Sequence, residues 1–586
     1  MIFAFIFRFS IGLIIPYFFA VNKKKIVDKP VDKPGDYMLG LFCNMLRRII
    51  EKIEEYPLTL TGWLVGFSSI IAFRMLGENL LGGFSDKSLS FFIGSTLAAW
   101  MFFAFSFLVV LLFLALWLKV GVKKIANVLL WGFWLTIFPP LVDKLWCGQS
   151  FCWSFYAFDN IFGLLKRFLT FFGNNAAIGI TYGVRVEVAL AVVFLVIYAY
   201  IKQKKAIRAL LTGVFAYIIL FILGSFPSWL AYLYFLPKKN LFSVQNFDIA
   251  GLFLTPATLF SVSETDFLNA LNVKMNLIYA FLLVFALILF FWLHFREKFW
   301  PVSKNIRWIQ IFIHAGLIAV GAALGAFYFP QNLNINLFSF FAISNLVLAA
   351  IFAWLASVFL NDQIDLDIDK LTNKNRPLAT GAVAAEDYKQ LFWICFAMSL
   401  VLAITVGAKF FLIMLIYQII GWVYSAWPFR LKRFPLVASL LSALALALLF
   451  SSGFILLADG QNITRLPHQI FWLLIIAFTI SLPVKDLKDI EGDRANGVWT
   501  IPVLLGENWA RFAIGLGIFV SYSLSVLWLN AKILFFPAMI LGAASFWILQ
   551  AKKISPRRVH IWVFGLLFAY VALIFFLVFW PAIKQF

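Results

Sequence analysis

The chain has 586 residues, of which 63% are hydrophobic, and its 48 Lys and Arg against 27 Asp and Glu leave a net charge of +21. So apolar a composition excludes a soluble globular protein and defines an integral membrane protein. No soluble basic domain is evident, so the positive charge is assigned to cytoplasmic loops and nucleic acid is excluded as a partner. The four Cys supply neither a disulfide framework nor a zinc pattern.

Residues 2–21 are apolar but contain Arg8, and Lys23, Lys24, Lys25, Arg47, Arg48 and Lys52 follow them. Translocating that basic tract would violate the charge rule, so 1–21 reads as a retained spanning or interfacial segment. Residues 37–54 have the pattern of an amphipathic helix on the cytoplasmic surface. Segments of spanning length follow near 58–80, 90–118, 125–142, 176–201, 207–235 and 275–295. The aromatic tract 152–172 carries Lys166 and Arg167 and reads as interfacial. A second series lies near 308–328, 338–360, 389–407, 410–427, 435–457, 468–484, 511–529, 533–550 and 560–582.

Arg296, Lys298, Lys304 and Arg307 separate the two series, with Pro301 among them, and place a boundary near 300. The expected architecture is all-α. An N-terminal stretch, 1–57, precedes a membrane module of six or seven helices, 58–297, and a nine-helix bundle, 298–586. Lys and Arg concentrate on one set of alternate loops, which assigns those loops to the cytoplasm. The same parity puts Cys147 and Cys152 outside, where WCGQSFCW is either a small disulfide ring or two free thiols. Asn462-Ile463-Thr464, also outside, matches a glycosylation acceptor. Cys43, Cys395 and His314 read as packing residues. Charges embedded in the first series, Arg74 with Glu78 and Arg185 with Glu187, point to function or to an interhelical ion pair such as Arg185 with Glu78.

Two acidic clusters stand out at the ends of apolar stretches, NDQIDLDIDK at 361–370 and KDLKDIEGDRANG at 485–497. Carboxylates beside hydrocarbon need cations or partners. On a continuous helix Asn361, Asp362, Asp365 and Asp369 share one face, while Asp367 points elsewhere to solvent. Asp486, Asp489 and Asp493 recur at i, i+3 and i+7, again one face. Oxygen-rich faces suit Mg²⁺, which joins one or two carboxylates to substrate phosphates. Cations for those phosphates are at hand in Arg376, in Arg430, Lys432 and Arg433, and in Lys485, Lys488 and Arg494.

The block Asn361-Asp362-x-x-Asp365-x-x-x-Asp369 with Arg376-Pro377 resembles the first signature of the UbiA superfamily of intramembrane prenyltransferases. Lys485-Asp486-x-x-Asp489-x-x-Gly492-Asp493 resembles the second, and YSAWPFRLKR at 424–433 the loop after the fourth helix. The resemblance covers about 300–586 and is nearest in motif to the chlorophyll synthase and digeranylgeranylglyceryl phosphate synthase branches. It implies Mg²⁺-dependent transfer of a prenyl group from a polyprenyl diphosphate to a lipophilic acceptor within the membrane. By this resemblance Asn361, Asp362, Asp365 and Asp369 hold metal on one side, and Asp486, Asp489 and Asp493 on the other. Asp365 and Asp489 would be indispensable to turnover. Arg376, Tyr424, Arg430 and Lys432 would contact the diphosphate, with Lys485 and Arg494 beside it. Trp427 departs from the family loop, where Pro is usual, and is expected to reshape the acceptor pocket. The alternatives are phosphoribosyl transfer to a polyprenyl phosphate and a non-catalytic transporter or scaffold with the same fold. The resemblance does not extend to residues 1–297, whose function it leaves open.

Overall fold

The computed structural model describes residues 34–82, 89–147, 156–173, 180–488, 490–495, 497–551 and 553–580. Among these, fifteen helices are long and apolar enough to cross a membrane, six before residue 300 and nine after. The Leu89–Leu118 helix contains no charged residue, and its 30 residues reach about 45 Å at 1.5 Å per residue. A single β-hairpin among the described residues, Ala257–Leu259 with Val262–Glu264, accompanies the helices. The chain is therefore an all-α, multi-pass integral membrane protein. The segment 2–21 and Cys152 lie outside the described residues, as do the side chains of Cys43 and Cys147. Cys395 is buried and free.

Proline sets several boundaries. The tract 207–235 is two helices, Ala206–Gly224 and Phe226–Phe235, because Pro227 has no N–H to continue the ladder. The expected span 125–142 is Val122–Gly132, a 3₁₀ stretch, and then Pro139–Cys147, where Pro139 and Pro140 interrupt the α ladder. The expected amphipathic stretch, 37–54, lies within a helix over Pro34–Glu54.

The embedded charges of the first half assemble around Arg74 rather than Arg185. Arg74 donates to Glu78 and to Glu187, both at 3.0 Å, and to the Thr136 carbonyl at 2.7 Å. Arg185 instead reaches the Gly173 carbonyl and lies over the Tyr182 ring. The expected Arg185–Glu78 pair is thus replaced by Arg74, which sits one helical turn from Glu78 and needs no reach across helices.

The two halves pack through the Phe267–His294 helix, which lies against Leu337–Ile364 and Ala385–Val406. Asn345 donates across this contact to the Leu277 carbonyl at 2.9 Å and to Thr405 at 3.1 Å. Lys274 closes the far end of the interface. Its ammonium takes the carbonyls of Leu252 and Thr255, which ends the Asn246–Phe253 helix without a carboxylate partner. Within the second half, Trp308–Tyr328 meets Pro435–Leu457 backbone to backbone. A Cβ at Gly321 would sit 2.0 Å from the Phe450 carbonyl oxygen, and one at Gly453 2.0 Å from that of Ile318. Trp308–Tyr328 also packs against Leu337–Ile364, the helix that ends in the first acidic residues.

Candidate metal and diphosphate site

The Leu337–Ile364 helix delivers Asn361 and Asp362, then breaks at Asp365 (φ −95°, ψ 16°), and Leu366–Thr372 restarts with Asp369. The break does not scatter the carboxylates. Arg376, in the turn that follows, donates through one Nη1 to Asp362 Oδ1 at 2.9 Å and to Asp369 Oδ2, tying residues on both sides of the break. Asp362 is 1% exposed, whereas the side chain of Asp367 is 96% exposed and points to solvent. Burial pushes the Asp369 carboxyl above its ordinary range, with Arg376 and Asn373 opposing the rise.

The loop after Ala408–Ser425 supplies the other cations. Lys432 donates to Asn361 Oδ1 at 3.0 Å and to Asp365, and Arg430 donates to Asp365 at 3.0 Å. Arg430 takes up a left-handed backbone (φ 42°), uncommon for a residue with a Cβ, and this turns its side chain and that of Lys432 toward one carboxylate. Burial lowers the affinity of Lys432 for its proton, and Asp365 opposes that shift. Ser425 completes the set by donating to Asn361 at 3.2 Å. Trp427 is exposed and its ring carries Arg433, whose guanidinium carbon is 5.2 Å from the centroid. It therefore braces the basic loop on its outer surface.

The second cluster departs from the helical face arithmetic. Leu482–Lys488 is a 3₁₀ helix, and Ile490–Ala495 resumes as α. Pro483 withholds one donor at its start, so the i, i+3, i+7 face does not apply across the segment. Asp489 lies outside the described residues. Asp486 and Asp493 are half-buried and Arg494 is exposed. Lys485 lies in electrostatic range of Tyr424, Asp486, Arg307 and Asp493, which joins this cluster to the first. The Trp499 amide, donating to the Arg433 carbonyl at 3.3 Å, links the two loops.

Three contributors lie outside the sequence expectations. Asn305 donates to Asp362 Oδ2 at 2.8 Å and to the Tyr388 hydroxyl at 3.3 Å, and Arg307 approaches Asp362 Oδ1 at 3.4 Å. Asn305 and Tyr388 are neutral, so nothing marks them in an apolar chain. Arg307 had a usable signal, a cation immediately before a spanning helix on the same side as both acidic clusters.

The donor set fits Mg²⁺. Asn361, Asp362, Asp365 and Asp369 offer only oxygen, the donor that this hard cation takes. Among the described residues no three acidic side chains converge into a cage.

Fold and site together define a multi-pass membrane protein whose acidic helix ends are held by basic loops. The model of the UbiA prenyltransferase family matches residues 317–558. Digeranylgeranylglyceryl phosphate synthase of Methanopyrus kandleri is 27% identical over 252 residues, covering 40% of this chain and 87% of the relative. Homogentisate phytyltransferase of Synechocystis sp. is 31% identical over 214 residues, covering 33% of this chain and 70% of the relative. A solved structure of a UbiA homolog from Archaeoglobus fulgidus bound to DMAPP and Mg²⁺ is 22% identical and covers 45% of this chain and 94% of that one at TM-score 0.36. The chain belongs to the UbiA prenyltransferase family through its second half.

Proposed function

We propose that residues 298–586 form a prenyltransferase domain that transfers a prenyl group from a polyprenyl diphosphate to a lipophilic acceptor, with the site facing the cytoplasm. Residues 58–297 form an accessory membrane module. The observation that carries this reading is the convergence of Arg376, Arg430 and Lys432 on Asp362, Asp365 and Asp369 at the ends of spanning helices, within the family-matched span. Carboxylates and cations so placed suit a ligand that brings both metal and phosphate.

Asn361, Asp362, Asp365 and Asp369 would hold one Mg²⁺, and Asp486, Asp489 and Asp493 a second. Mg²⁺, when bound, neutralises charge on the departing diphosphate. Arg376, Arg430 and Lys432, with Tyr424, Lys485 and Arg494 around them, bind and orient the diphosphate oxygens. The C1–O bond of the allylic diphosphate breaks and its electron pair leaves with diphosphate. The acceptor's nucleophilic atom then bonds to C1 and gives up its proton. The apolar helix faces below the site hold the prenyl chain and exclude water that would capture the cation. The relatives' names divide between a glyceryl phosphate product and homogentisate, so the proposal extends to a lipophilic acceptor and no further.

Full-length protein in lipid nanodiscs, given Mg²⁺, geranylgeranyl diphosphate and a membrane lipid extract, should release diphosphate and form a prenylated lipid. Absence of both products, where a family enzyme prepared in parallel is active, would overturn the reading.

A further inference from the structure

The helix Arg296–Asn305 joins the two halves of the chain, and its last residue ends in the site. It leaves Phe267–His294 through Phe295 (φ −129°, ψ 42°), a single non-helical residue. Lys298 pins its first turn to Asp387, at the start of Ala385–Val406, at 2.8 Å. Val302 buries its middle in a cluster with Ala356, Phe359 and Tyr388, and Phe359 is three residues before Asp362. Asn305 then donates to Asp362 and to Tyr388, which is fully buried.

Asp362 is consequently held on both oxygens. Arg376 and Arg307 take Oδ1, and Asn305 takes Oδ2. The donors are of two kinds. A guanidinium neutralises the carboxylate and competes with a metal for its charge. A neutral amide fixes the plane of the carboxylate and leaves the charge in place. Groups that hold a metal-binding carboxylate in this way are worth about 10–100-fold in metal affinity. Asn305 and the helix that carries it lie ahead of the family-matched residues 317–558.

We propose that Arg296–Asn305 is a strap belonging to the metal-binding end of the molecule, and that Asn305 is a positioning residue for Asp362. The segment that separates the two halves in sequence thus couples the N-terminal module to the first acidic cluster. This rests on the metal-site reading above.

The test uses full-length protein in nanodiscs, with Mn²⁺ as the probe and free Mn²⁺ read by electron paramagnetic resonance, without prenyl substrate. Asn305→Ala should weaken Mn²⁺ binding about 10–100-fold. It should raise the Mg²⁺ concentration for half-maximal turnover by a similar factor, with the acceptor KM and the thermal midpoint unchanged. Asn305→Gln, which keeps an amide donor, should recover part of the loss, and Lys298→Ala should produce a smaller loss of the same kind. If wild-type protein binds Mn²⁺ and Asn305→Ala binds it equally well, the strap proposal fails alone. If wild-type protein binds no Mn²⁺, the metal-site reading fails with it. Should Asn305→Ala not fold, the Lys298→Ala result decides: unchanged Mn²⁺ affinity overturns the proposal.

Discussion

Two clusters of buried charge are built differently in this molecule. In the first half Arg74 lies inside a spanning helix with its side chain 2% exposed, bonded to Glu78 and Glu187 and over the Phe103 ring. In the second half Asp362, Asp365 and Asp369 stand at helix ends, bonded to Arg376, Arg430 and Lys432 from turns and loops. The first cluster crosslinks Leu60–Gly82, Tyr182–Gln203 and the 3₁₀ turn at Thr136, all rigid elements. The second draws its cations from the turn at Arg376 and from the loop at Arg430 with its 3₁₀ turn Leu431–Arg433, between spanning helices. On the proposed reading, depth and attachment, rather than charge count, separate a structural ion cluster from a binding site.

Variants can break or sharpen that contrast. Asp365→Ala should abolish prenyl transfer while the protein remains folded, because Asp365 joins Asn361, Arg430 and Lys432 at one point; full turnover in a product assay would remove it from the site. Arg74→Met should leave two carboxylates buried without their cation and destabilise the protein by about 3–5 kcal/mol. Its thermal midpoint should fall, and the surviving folded fraction should bind prenyl diphosphate normally. Impaired diphosphate binding at an unchanged midpoint would reverse the two assignments. Arg376→Lys exchanges a planar guanidinium, whose Nη1 bridges Asp362 and Asp369, for a point charge. It should weaken prenyl diphosphate binding about tenfold, or about 1.4 kcal/mol, in a titration. Asp367→Asn should change neither turnover nor stability by more than about 0.5 kcal/mol, since the side chain is in water; a clear loss of Mg²⁺ response would place it among the ligands.

Much of this was legible before the structure. Charge is scarce in a chain that is 63% hydrophobic, so the carboxylates of 361–369 and the cations of 376 and 430–433 announce themselves. Helical periodicity separated Asp367 from its neighbours correctly even though the helix breaks at Asp365, because the restarted turn preserves the register. The same arithmetic assumes one α-helix at 485–493, whereas Leu482–Lys488 is 3₁₀ behind Pro483. Asn305 and Tyr388 escaped notice because a neutral amide and a phenol are unremarkable at a boundary until the fold brings them to Asp362. The pairing of Arg74 with Glu187, 113 residues apart, depends on which helices adjoin, and that is a property of packing.

The most direct test of the proposed metal and diphosphate site is a titration of wild-type protein and Asp365→Ala with the non-reactive thiolo analogue of geranylgeranyl diphosphate, with and without Mg²⁺. Binding to wild-type protein should strengthen markedly with Mg²⁺ and lose that dependence in the variant. Binding equally tight in both proteins and indifferent to Mg²⁺ would contradict the proposed site.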